Sequence, residues 1–213
     1  MNQNVNWYLE KKLERVKQSL EKNNYEVFIA EDIENVKEIL KNIIEEKSTV
    51  SFGGSMTLID GGIIEYLRKC NITLLDRYKE GLTPDDIAEL YRKSFFADYY
   101  ITSSNAITEE GYLVNLDGNG NRVAAMIYGP KKVIIIAGIN KIVRDLNEAY
   151  TRVRNYASPI NAKRLSRKTP CVEKGICLDC NSPERICNHY VVTYRQNVKG
   201  RGIIILVKQE LGF

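Results

Sequence analysis

Four of the five cysteines, Cys171, Cys177, Cys180 and Cys187, fall in one stretch with the spacing Cys-x5-Cys-x2-Cys-x6-Cys, and the preceding 170 residues hold only Cys70. Thiolates repel one another and oxidise readily, so a reducing-compartment chain that concentrates them usually shares their charge with a soft metal ion or an iron–sulfur cluster. The surrounding segment, TPCVEKGICLDCNSPERICNHYVV, carries Pro170, Gly175, Ser182 and Pro183 for turns and only Ile176, Leu178 and Ile186 as apolar cover. Such a segment cannot build its own core, so a cross-link is the expected source of its order. Structural zinc sites most often pair two Cys-x2-Cys knuckles, whereas here one tight pair, Cys177 and Cys180, has looser outer partners. That asymmetry favours a [4Fe–4S] cluster, with zinc as the alternative and free thiols or disulfides as a third reading. His189, the sole histidine, could replace a thiolate, but four thiolates already complete a tetrahedral set, and an ordinary partly exposed histidine is the simpler reading.

Two glycine sites offer a different chemistry. SFGGSMT, residues 51–57, sets Gly53, Gly54, Ser55 and Thr57 between a strand and a helix. Backbone amides at a helix start carry partial positive charge, and glycine lets an anionic oxygen approach them, which makes this a phosphate or carboxylate cradle. No lysine follows in P-loop register and the dinucleotide fingerprint is incomplete. The plain alternative is a tight turn with Ser55 or Thr57 capping the helix. LDGNGNR places Asp117, Asn119, Asn121 and Arg122 around Gly118 and Gly120, and NAITEEG upstream supplies Asn105, Thr108 and Glu109. An arginine beside a flexible loop can grip a carboxylate or phosphate through two parallel hydrogen bonds. A solvated hairpin turn, with Asp117 and Asn119 serving its geometry, explains the same residues. A Ser-His-Asp triad is excluded, because the one histidine belongs to the cysteine segment.

These sites need a scaffold, and the chain is long enough to supply one. At 213 residues and 24.4 kDa, 44% hydrophobic and 27% charged, it suits one α/β domain, residues 1–213, with a helical N-terminal region (1–46) and a cysteine-rich metal-binding segment (166–188). A net charge of +4, with lysines and glutamates mixed along EKKLERVKQSLEKNN, describes solvated helix faces and makes nucleic acid an unlikely partner. The denser basic run NAKRLSRK, residues 161–168, reads first as a wet helix end. With neither a signal-like start nor a run of roughly 18–20 apolar residues, the expectation is a cytoplasmic protein without membrane contact.

Apolar spacing predicts a helix through Trp7, Leu9, Leu13, Val16 and Leu20, a strand at 25–30, and a helix through Ile33, Val36, Ile39, Leu40 and Ile43. TVSFGGS is a buried strand running into a turn, MTLIDGGIIEYLRKC a helix, ITLLD a strand, 84–94 a helix and ADYYITS another strand. KKVIIIAG follows as a buried strand, KIVRDLNEAYTRVRNYA as a helix ended by Pro159, and the C-terminal residues as two strands in a hairpin about NVKGRG. This alternation specifies a mainly parallel sheet with helices on both faces.

SFGGSMTL with Asp60 and Gly62, then ITSSNAITEEGYLVNLDGNGNRVAAMIYGPKKVIIIAGINKIV, SPINAKRL, TPCVEKGICLDCNSPERIC and the terminal ELGF together resemble the LUD-domain (lactate-utilisation) proteins, from about residue 45 onward. The resemblance implies the fold shared with ribose-5-phosphate isomerases, glucosamine-6-phosphate deaminases, coenzyme A transferases and regulatory subunits of translation initiation factor 2B. In those relatives the glycine turn meets an anionic substrate, which points to Gly53, Gly54 and Ser55. Asp60 stands where the family usually has glutamate. The resemblance also implies an accessory role beside iron–sulfur oxidoreductase subunits in oxidation of lactate-type hydroxy acids. The alternative is an enzyme or sensor for a small anionic metabolite with a structural zinc. Gly54, Ser55, Asn105, Asn121 and Arg122 are expected to share one pocket, with the cysteine segment folded as a lid over its DGNGNR side.

Overall fold

The computed structural model of the protein describes residues 2–213. Its elements begin with α1 (Gln3–Lys22), β1 (Glu26–Ala30), α2 (Ile33–Ile43), β2 (Thr49–Phe52), α3 (Met56–Asp60), α4 (Ile63–Arg68), β3 (Thr73–Leu75) and α5 (Pro84–Lys93). They continue with β4 (Tyr99–Thr102), β5 (Ala106–Thr108), β6 (Leu113–Asp117), α6 (Asn121–Ile127), β7 (Lys132–Gly138) and β8 (Ile142–Val143). The last are α7 (Leu146–Arg152), α8 (Ser158–Arg164), α9 (Pro170–Lys174), β9 (His189–Thr193) and β10 (Gly202–Val207).

Six strands form a wholly parallel sheet in the order β1-β10-β7-β4-β2-β3. Its central strands read as unbroken apolar runs because both faces are covered. Ile134 and Ile136 of β7, Ile203 and Ile205 of β10 and Ile101 of β4 point into one core with α2, α3 and α4. Val133, Ile135, Ile204, Leu206 and Tyr100 point into the other, against Leu13, Val16 and Leu20 of α1 and Ala125 and Met126 of α6. A second sheet, order β8-β5-β6-β9, packs Ala106, Val114 and Val143 against Ala149 and Val153.

Five local expectations change. The buried stripe of α1 starts at Leu13, and Trp7 is 62% exposed, so the first turns project into solvent. Gly61 and Gly62 divide the expected helix into α3 and α4, since Gly62 adopts φ 61°, a left-handed conformation that interrupts the hydrogen-bond ladder. Pro159 does not end a helix. A π-helical turn at Val153–Ala157 carries α7 into α8, and the Val153 carbonyl accepts from both the Ser158 N–H and, at 2.6 Å, Ser158 Oγ. The wider turn absorbs the proline's missing donor. The C-terminal strands form no hairpin: β9 pairs antiparallel with β6, while β10 is inserted between β1 and β7. The DGNGNR turn likewise opens into α6 instead of closing a hairpin.

Candidate functional site

Connections β2→β3 and β4→β7→β10 leave the middle of the large sheet in opposite directions, so the carboxyl ends of β2 and β4 flank a topological switch point, the place where open α/β sheets hold ligands. A cleft of about 350 Å³ opens there. Gly54 and Ser55 reach it from the end of β2, Arg77 and Tyr78 from β3, Ser103, Ser104 and Asn105 from β4, and Lys141 from β7. The second sheet closes the other side with Asp117, Gly118 and Asn119, and α6 adds Asn121 and Arg122. Gly54, Ser55, Asn105, Asn121 and Arg122 therefore lie around one space. Gly53 and Thr57 stand behind it.

Gly53 must lack a side chain. A Cβ there would come within 2.9 Å of both Thr102 Oγ1 and the Tyr100 hydroxyl. At Gly54 a Cβ would stand 3.3 Å from Arg77 Nη1, so this glycine leaves the guanidinium room in the cleft. Ser55 is the N-cap of α3, yet its hydroxyl makes no capping hydrogen bond. Thr57 is fully buried, with Oγ1 donating toward the Leu211 carbonyl at 3.2 Å.

Arg122 has a different part from the ligand grip expected of it. Its Nε lies 3.2 Å from Asp117 Oδ2. Nη1 donates to the Ser103 carbonyl (3.2 Å) and Asn115 Oδ1 (2.7 Å), and Nη2 to Asn105 Oδ1 (3.0 Å) and the Leu116 carbonyl (2.9 Å). All four Nη N–H donors of the guanidinium are thus spent on protein, and its charge is paired with Asp117. Arg122 ties the β4 turn, β6 and α6 together, and Asn105, which also accepts from Leu116 N–H at 2.9 Å, is held by that network. Arg152 adds a parallel tie, donating to the Asn140 (3.0 Å) and Asn105 (2.8 Å) carbonyls.

The cleft's available cations come from elsewhere. Arg77 forms no ion pair among the described residues and stacks on Tyr91, 4.7 Å from the ring centroid, and Tyr78, 5.4 Å away. Its Nε is buried without a hydrogen-bond partner. Arg164 and Arg167 also line the cleft, so the basic run 161–168 is a wall of the site and not merely a wet helix end. Lys141 is 4% exposed, and its Nζ donates to Thr57 Oγ1 at 2.9 Å and Ser103 Oγ at 3.1 Å. Burial, reinforced by Arg152 and Arg122, lowers this amine to about 7 from the usual lysine value of 10.5. Sequence reading missed Arg77 and Lys141. Lys141 looked like the first residue of an exposed helix, but the chain makes a single 3₁₀ turn at Ile139–Lys141 and passes into β8.

The cysteine segment has one helical turn, α9, followed by irregular chain to β9. Cys171, Cys177, Cys180 and Cys187 are half-buried and line one small cavity with Arg154, Pro159, Ala162, Leu178, Arg185 and Ile186. Arg154 Nη2 lies 3.7 Å from Cys177 Sγ, and Thr169 Oγ1 lies 3.2 Å from Cys171 Sγ. Among the described residues no three histidine, cysteine or acidic side chains are grouped to hold a metal ion, while all four cysteines border the same cavity. Cys70 lies apart, its thiol donating to the Tyr66 carbonyl at 3.4 Å. His189 is exposed and is not in the cavity; its ring sits beside Gly120, 3.2 Å from where a Cβ would be. Ile186 lines both cavity and cleft, and Asn188 donates its N–H to the Asp117 carbonyl at 3.1 Å and Nδ2 to the Gly118 carbonyl at 3.1 Å. The segment accordingly packs on the DGNGNR side of the cleft.

A doubly covered parallel sheet with an arginine- and lysine-lined cleft at its switch point defines the α/β class of this protein. The chain belongs to the LUD-domain family, whose model matches residues 13–207. The match takes in the second half of α1, which the resemblance read from residue 45 left out, and stops before the ELGF tail. The crystal structure of a DUF162 family protein from Deinococcus radiodurans is similar over 93% of this chain and 97% of that one, with a TM-score of 0.51 at 13% identity. Partial likenesses are found to eIF2B delta from Chaetomium thermophilum (TM-score 0.36, 18% identity, 56% of this chain and 50% of that one) and to ribose 5-phosphate isomerase from Plasmodium falciparum (0.32, 13%, 53% and 52%). No curated protein sequence matches significantly. None of the described helices is long and apolar enough to cross a membrane.

Proposed function

We propose that the protein binds a small anionic metabolite, a carboxylate or phosphate ester of the hydroxy-acid or sugar-phosphate kind, in the switch-point cleft. The observation that carries this reading is Arg77, a cleft-lining guanidinium with a buried, unpartnered Nε and no carboxylate partner among the described residues. A cleft-lining guanidinium with no carboxylate partner among the described residues leaves its charge and donors available to an incoming oxyanion. With Arg164 and Arg167 on the same walls and Asp117 engaged by Arg122, the unpaired charge of the cleft is positive.

Within the same reading, the four cysteines hold an iron–sulfur cluster, and the protein serves as a redox accessory of lactate-type oxidation with oxidoreductase partners. Four half-buried thiols lining one cavity beside Arg154 and Arg185 support a thiolate-bound, negatively charged centre. When bound, a cluster supplies one-electron transfer. The chain's own residues orient the anion, and Ile186 separates the two spaces.

Calorimetry with inorganic phosphate, L-lactate and pyruvate at low and high salt tests the cleft. Saturable binding of at least one, weakened by salt, is the expected result; no binding of any defeats the anion site. Anaerobic purification with iron, sulfide and zinc analysis tests the cysteines. Broad absorbance near about 400 nm accompanies a cluster, and colourless protein with one zinc leaves the metal a structural brace.

A further inference from the structure

Lys141 lies within the cleft's wall, and no carboxylate among the described residues is within ion-pair distance of it. Its two partners are hydroxyls whose own hydrogens have other acceptors: Thr57 Oγ1 reaches the Leu211 carbonyl at 3.2 Å, and Ser103 Oγ the Ser104 carbonyl at 3.4 Å. Both hydroxyls are then left to accept from Nζ. Two acceptors satisfy a neutral amine, which has two N–H groups and a lone pair; an ammonium would have a third N–H without a partner. The charges that face it are Arg122 from α6, Arg152 from α7 and, more weakly and with opposite sign, Asp60 from α3. Burial and the two arginines act together against a further positive charge.

We propose that Lys141 is a nucleophilic amine that forms a Schiff base with the carbonyl carbon of a small anionic 2-oxo acid or phosphorylated sugar. This deepens the proposed function and rests on it, since the cleft's cations must first hold the anionic end. The nitrogen lone pair forms the C–N bond while the carbonyl π pair moves to oxygen. One proton passes from nitrogen to that oxygen and a second comes from solvent. The C–O bond then breaks, water leaves and a protonated imine remains, with no oxidant or reductant required. Thr57 and Ser103 are positioning residues that aim the amine.

The test is reductive trapping on the full chain. Protein at pH 7 is incubated with pyruvate or, in parallel, glyceraldehyde 3-phosphate, treated with cyanoborohydride and mapped by peptide mass spectrometry, with binding of each probe followed by calorimetry. The expected result is a reduced adduct on Lys141 with at least one probe. It should form faster than on exposed lysines such as Lys131 by on the order of 100-fold, because an ordinary lysine is almost wholly protonated at that pH. The probe that reacts identifies the anionic group. Binding without an adduct at Lys141, or labelling at the rate of exposed lysines, overturns the Schiff-base assignment and leaves the anion site standing. Absence of both binding and adduct overturns the two together. Mapping the wild-type chain reads the modified residue directly, so the outcome does not depend on whether Lys141→Met folds; where it does, it should bind the probe and lose the adduct.

Discussion

The cleft and the cysteine segment share a wall but are ordered by different means. In the cleft, Gly54, Ser55, Ser103, Ser104 and Asn105 follow buried parallel strands, and Arg122 and Arg152 staple the turns after β4 and β7 to the second sheet and α7 through short hydrogen bonds. Across that wall, the cysteines hang on one helical turn and irregular chain, held by side chain to backbone bonds such as Arg185 to the Cys180 (2.5 Å) and Cys187 (3.0 Å) carbonyls. A site on strand ends inherits the rigidity of the sheet core, whereas a site on a loop with little apolar cover depends on whatever cross-links it. Substitutions should therefore separate the two regions.

The largest expected effect on stability is at Arg122. Replacing it with methionine leaves Asp117 and Asn115 buried without their partner, at a cost of about 3–5 kcal/mol, measurable as a lower urea midpoint. An unchanged midpoint would mean that the four hydrogen bonds and the Asp117 ion pair do not brace the cleft. Arg77→Met should do the reverse: native-like stability with anion affinity lowered by about 10- to 100-fold, the value of one charge-assisted contact. Full affinity in that variant would move the anion site away from the β3 end. Cys180→Ser is expected to abolish the visible absorbance of anaerobically prepared protein while its unfolding free energy stays within about 1 kcal/mol, since no core residue is altered. Global unfolding of this variant would show that the sheet needs the cysteine centre.

A subtler effect concerns pH. Lys141 has a folded value near 7 against 10.5 when exposed, so between these limits the unfolded chain binds more protons and stability rises with pH. Below about pH 7 the folded protein must carry the buried charge and the full penalty applies. Lys141→Met should flatten this slope in thermal melts taken across the interval; an identical slope would place the amine in contact with bulk water. Smallest of all, Gly54→Ala should reduce anion affinity a few-fold through contact with Arg77 and alter stability by less than about 1 kcal/mol.

How much of this was legible in the sequence follows the same division. β7 and β10 announce themselves because strands buried on both faces are written in isoleucine and valine without polar interruption, and the turns at Gly53–Ser55 and Asn105 follow such strands directly. Partner choice did not show: β10 lies between β1 and β7 because its two apolar faces match the two cores, which no local turn signal encodes. Arg122 could be recognised as a cleft residue, but its saturation depends on carbonyls from β6 and the β4 turn that only tertiary packing brings near. Lys141 was hidden because the Ile142 and Val143 that follow it suit a helix and a short β-strand equally. The cysteine spacing marked these four residues as a group, and they line one cavity.

Ile186 gives the shared wall a thermodynamic consequence. Because this side chain bounds both spaces, and its neighbour Asn188 holds the loop at Asp117, a guest among the cysteines and a guest in the cleft act on one set of rim atoms. Linkage then demands reciprocity: by whatever factor filling the cysteine cavity changes affinity for the anion, anion binding changes retention of the cysteine-bound centre by that same factor. Metal loss measured with and without anion, and anion affinity measured with and without metal, must yield one coupling free energy.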